Sequence, residues 1–158
     1  MIVNILGFLY VISNTSIKFA NKNPDVYNPD VVMIQYNMGV LYRKLGRFEE
    51  TEHAYGEALE VYRKLADKNP KAYLIKLTQT QDSLGVLYYD QQNYYKAEIC
   101  FKEVLQFYER LAEKYPQVYL SEVIRTLSNF RNLYNAIKKR KEAKKMQKRI
   151  EELEKKKA

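Results

Sequence analysis

The chain has one cysteine, Cys100, so no intrachain disulfide can form. That scarcity fits a reducing compartment, and a cytoplasmic location is the expectation. One histidine, His53, has no second histidine or cysteine near it, which leaves a metal centre without ligands. Tryptophan is absent, and 158 residues hold only five glycines and four prolines. So few breakers exclude a loop-rich architecture. Sustained period-two alternation is missing, as are Asn-Gly hairpin turns, so strands are not expected. No glycine-rich phosphate loop, Cys-x-x-Cys pair or nucleophile elbow occurs, and neither an enzyme nor a cofactor is expected. The longest apolar run, Met1 to Ile12, is too short to span a bilayer as a helix. As a signal-peptide core it lacks a preceding Lys or Arg and a clear small-x-small site after it.

What the chain does have is a helix-forming, tyrosine-rich composition: 46% hydrophobic residues and fifteen tyrosines. A buried tyrosine supplies bulk and keeps a polar tip that can reach water or a backbone group. The net charge of +8 is unevenly placed. Residues 138–158 hold eleven basic and four acidic side chains, net +7, and the other 137 residues are close to neutral.

The sequence also repeats every 46 residues without a gap. Met38-Gly39-Val40-Leu41-Tyr42 returns as Leu84-Gly85-Val86-Leu87-Tyr88. Pro24, Pro70 and Pro116 share one register, as do Tyr27, Tyr73 and Tyr119. Such a period means stacked supersecondary units in place of one globular core. The frame predicts a half repeat over 1–22, repeats over 23–68 and 69–114, a degenerate third repeat or cap over 115–153, and a basic end over 154–158. The apolar N-terminus then reads as the second helix of a unit whose first helix is missing.

Each unit holds two helical stretches. The first runs over about 29–44, with Asn28 as N-cap and Pro29 in the first turn, then over about 75–90 and 121–137. The second runs over about 47–68, 93–114 and 139–156. Asn69-Pro70 stops one such helix. The total is about seven helices, an all-α antiparallel helix-hairpin solenoid.

The residues at these positions resemble the tetratricopeptide repeat. Its signature is a large residue, Gly and Tyr in the first helix, then a small, an aromatic and a small residue in the second. Unit one carries Met38, Gly39, Tyr42, Thr51, Tyr55 and Ala58; unit two carries Leu84, Gly85, Tyr88, Ala97, Phe101 and Val104. Unit three departs at Arg131 and Gln147. The usual unit is about 34 residues. These longer helices, with the Tyr62–Pro70 joint, are similar to the branch that includes kinesin light chains and many prokaryotic arrays.

The resemblance implies a non-catalytic protein-interaction module or scaffold whose first helices line a concave groove for a peptide or partner helix. The implied lining is Met33, Tyr36, Val40, Arg43, Gln79, Asp82, Val86, Tyr89, Arg125, Ser128 and Asn132, with Tyr36, Tyr89, Arg43 and Arg125 as anchors. The two-carboxylate clamp of chaperone-binding relatives is absent, because its Lys and Asn places hold Tyr36 and Val40. The competing reading gives residues 138–158 to nucleic acid or an anionic membrane, although no aromatics are interleaved there for stacking. The bland alternative makes them the last helix of unit three, its lysines in water. A third expectation is self-association through the apolar Met1–Phe19.

Overall fold

A computed structural model describes residues 29–157 together with Val11. Six helices follow one another: α1 (Pro29–Lys44), α2 (Phe48–Lys68), α3 (Pro70–Asp90), α4 (Tyr94–Lys114), α5 (Pro116–Ala136) and α6 (Arg140–Lys157). Among the described residues there is no strand. The expected seventh helix, the half repeat and the self-associating Met1–Phe19 stretch lie outside the described residues, as does Asn28. The chain divides into two compact units between Ser83 and Leu84, inside α3.

The hairpin turns repeat in backbone as well as in sequence. Gly46, Gln92 and Lys138, one period apart, all take left-handed φ, at 71°, 59° and 60°. Each turn closes in the same way. The Arg47, Asn93 and Lys139 amides donate to the Tyr42, Tyr88 and Tyr134 carbonyls at 2.9, 2.8 and 2.8 Å. The Gly46, Gln92 and Lys138 amides donate to Arg43, Tyr89 and Asn135. This is the Schellman closure of a helix end, and it needs the left-handed residue. Only the first copy uses glycine there.

The joints between hairpins are tighter than the sequence implies. Helices α3 and α5 begin at Pro70 and Pro116, not near 75 and 121. Proline ends one helix and opens the next, since its missing N–H is one that a first turn leaves unbonded anyway. The single residue between helices is extended: Asn69 at φ −140°, Tyr115 at φ −134°. The Asn69 amide closes α2 on the Leu65 carbonyl, and its side-chain oxygen accepts from Ala72 N–H at 3.3 Å.

Within the first two hairpins an aromatic ring lies on a glycine. A β-carbon added at Gly39 would stand 2.5 Å from the Tyr55 ring, and one at Gly85 would stand 2.7 Å from that of Phe101. Both rings are almost fully buried, and each burial stabilises by about 2–3 kcal/mol. In the second copy the aromatic also reaches the following hairpin: Phe101 meets Phe130 of α5 edge-on at 5.8 Å. Small Thr51 and Ala97 are fully buried beside these contacts. Ala58 and Val104 complete the buried stripes of α2 and α4.

In the third copy Arg131 and Gln147 replace glycine and aromatic, and Arg131 Nη1 donates to Gln147 Oε1 at 2.6 Å. A hydrogen bond takes the place of the ring contact. Helix α6 still packs on its hairpin: Ala143 and Ile150 are buried, and Ile150 shares a core with Val104, Tyr108, Val123 and Leu127.

Two glycines give opposite outcomes for one substitution. Gly56, in α2, has nothing within 4 Å of an added β-carbon. Gly56→Ala gains about 1 kcal/mol from helix propensity. Gly39→Ala loses about 1–2 kcal/mol net, because overpacking against Tyr55 outweighs the same gain. Gln92→Gly relieves the left-handed penalty and stabilises by about 1 kcal/mol. Urea unfolding midpoints of the three variants read these signs.

Candidate functional site

The first unit contains an open cleft of about 130 Å³ where α1 faces α3. Met33, Tyr36 and Asn37 come from α1, and Lys76, Gln79 and Thr80 from α3. Tyr62 of α2 joins them. Met33, Tyr36 and Gln79 belong to the sequence-derived groove, and here they share one wall system. Asn37, Tyr62, Lys76 and Thr80 are additions. The sequence signal for Asn37 and Lys76 was their helical spacing from Met33, Tyr36 and Gln79. Tyr62 was read as the start of the joint that ends at Pro70.

A hydroxyl network fixes the cleft's aromatic wall. Tyr36 Oη lies 3.0 Å from Ser83 Oγ, and its ring is tilted against Tyr55 at 5.5 Å. Burial pushes the Tyr55 phenol up to about 12; Tyr36 adds to the rise, and Arg43 and Ser83 oppose it. The Tyr62 phenol is also raised, mainly by burial and then by Tyr36 and Tyr73. These phenols therefore stay neutral donors at physiological pH. Among the described residues Lys76 is the only charged side chain lining the cleft.

The other groove positions divide by environment. Val40 and Arg43 are half-buried on α1. Asp82 is not an outward residue: at 3% exposure it is buried, so it offers nothing to a ligand. In the second unit Val86 and Tyr89 are half-buried against the cluster of Ala97, Phe101, Phe130 and Leu133. The Tyr89 ring meets Tyr94 edge-on at 5.8 Å. Arg125 is exposed, yet its guanidinium is held by Glu122 at 2.9 and 2.5 Å on the same helix. Its anchor role therefore competes with a standing ion pair. Ser128 Oγ donates to the Ile124 carbonyl at 2.9 Å, and Asn132 is exposed.

The signature tyrosines sit at the hairpin ends. Arg47 lies over Tyr42 and Lys96 over Tyr88, each at 4.8 Å from the ring centre. Cys100 and Ala54, one period apart, are both buried. His53 is exposed, 3.5 Å from Glu57, whose carboxylate also accepts from Gln35. Burial raises that carboxyl above its ordinary value, and His53 and Gln35 oppose the rise. Among the described residues no group of three or more His, Cys, Asp or Glu could hold a metal ion. No described helix is long and apolar enough to cross a membrane.

The family model of the tetratricopeptide repeat matches residues 30–110, just over half of the chain. Among solved structures, the crystal structure of BtubC (BKLC) from P. vanneervenii is similar, with a TM-score of 0.73 at 22% identity. The match covers 90% of this chain and 54% of that one, so the chain spans about half the length of the structure it resembles. That neighbour is a kinesin light chain-like tetratricopeptide protein. No curated protein matches the chain.

The raised Tyr55 phenol predicts a pH dependence. Its folded value, about 12, lies above the ordinary 10. Its share of stability is therefore complete below pH 10 and is lost as pH rises toward 12. Unfolding followed across that window falls less steeply for Tyr55→Phe than for the native chain; equal slopes would refute the assignment.

Proposed function

Because this chain belongs to the tetratricopeptide repeat family, we propose that it is a non-catalytic protein-interaction module that takes a peptide or a partner helix on its first helices. The observation that carries this reading is the α1/α3 cleft, with Met33 and Tyr36 as apolar surface above buried Tyr62, and Asn37, Gln79 and Lys76 as polar groups. An apolar side chain of the partner enters between the aromatics, where dehydration stabilises most. The Asn37 and Gln79 amides bond its backbone, and Lys76 favours an acidic neighbour. The wall is preformed through Tyr36 and Ser83, so little ordering entropy is lost on binding.

Val40 and Arg43 extend this surface along α1. Val86, Tyr89, Arg125, Ser128 and Asn132 make a second proposed surface on α3 and α5. The unit boundaries at 23–68, 69–114 and 115–153 and a cytoplasmic location belong to the same reading. Phosphate binding by residues 138–158 is its rival. Burial of Ala143 and Ile150 supports the view that α6 is first a packing helix.

Peptides selected from a random library against the intact chain should bind through this cleft. Met33→Glu and Gln79→Glu, both at exposed positions, should each weaken them about ten-fold. Tyr95→Ala, at the most exposed large hydrophobic side chain of α4, should not. Selected peptides indifferent to both cleft variants would overturn the reading.

A further inference from the structure

The third copy's departure from the repeat signature creates a basic cleft. In copy two Phe101 rests on Gly85 and meets Phe130 of the next first helix. One period later those two positions are Arg131 and Gln147, joined by a hydrogen bond. With them Asn135, Arg140, Ala143 and Lys144 line an open cleft of about 340 Å³ between α5 and α6. A face that in copy two receives an aromatic ring is here polar and positive.

Among the described residues three cations and no carboxylate line this cleft. Among the described residues none of the three forms an ion pair. Arg131 bonds only the neutral oxygens of Gln147 and Asn132, at 2.6 and 3.4 Å. Glu142, in the first turn of α6, does not line the cleft, and Glu151 accepts from Gln147 Nε2 at 2.9 Å. The first turn of α6 adds the positive end of its helix dipole.

We propose that this cleft binds a carboxylate-rich segment of a partner protein. Planar guanidinium groups match carboxylates in a fork, and the Asn135 amide supplies a neutral donor beside them. A nucleic-acid backbone would need an unbroken basic track. Further along α6 the positive charge is interrupted: Lys148 lies 3.9 Å from Glu152, Arg149 is paired with Glu109, and Glu151 and Glu154 intervene. No aromatic occurs between 138 and 158 on which a base could stack. The cleft shares no residue with the α1/α3 site, so either can fail without the other.

The probe is a fluorescein-labelled hexaglutamate peptide, titrated with the intact chain and followed by anisotropy. Binding should be saturable and weakened by salt. Arg140→Gln with Lys144→Gln, both at exposed positions, should reduce affinity about ten-fold. Lys156→Gln with Lys157→Gln removes the same charge at the far end of α6 and should change it less than about two-fold. Arg131→Lys keeps the charge but loses the fork, and should also weaken binding. The proposal is overturned by absent saturation or by equal losses from the two double variants. It is overturned too if an oligothymidylate binds more tightly than the peptide and responds to both pairs alike.

Discussion

An aromatic ring standing where a β-carbon would be sets the register of the first two hairpins. Tyr55 on Gly39 and Phe101 on Gly85 can form only if the paired helices approach closely and with one alignment. That alignment places the Schellman turns at 46 and 92 and the proline joints at 70 and 116 a fixed distance along each helix. A slip of one residue in either helix would rotate the ring about 100° off its glycine and open a gap. The same ring then presents an edge to the following helix, as Phe101 does to Phe130. One contact thus serves both within a hairpin and between hairpins.

Much of this was legible in the sequence because packing repeats and ligand choice does not. The 46-residue frame located the helix pairs, the glycines and the buried stripes. It missed where α3 and α5 begin, because Asn69-Pro70 was read as a stop when proline is equally suited to start the next helix. It did not foresee left-handed Gln92 and Lys138, since neither side chain advertises that backbone as glycine does. Asp82 was placed outward on helical spacing alone, and tertiary neighbours bury it. The resemblance made Arg125 an anchor, and Glu122, one turn earlier, holds its guanidinium.

The two candidate sites arise where the repeat stops constraining the chain. Asn37, Lys76 and Gln79 occupy positions that carry no part of the hairpin contact, so their chemistry was open to a partner. Arg131 and Gln147 occupy the contact positions themselves and have left the rule together. The paired change matters physically: glycine opposite Gln147 would leave a void, and an arginine side chain would occupy the space a phenyl ring needs against glycine. Their hydrogen bond is the alternative that keeps α5 and α6 together while exposing positive charge.

The central claim is that positions 39, 85 and 131 act only in partnership with 55, 101 and 147. A double-mutant cycle on the third copy tests it most directly. Arg131→Gly and Gln147→Phe are made singly and together, and unfolding free energies are compared. The account predicts that each single change destabilises and that the pair restores the ring contact, with a favourable coupling of about 1–3 kcal/mol. Effects that simply add, within about 0.5 kcal/mol, would contradict it.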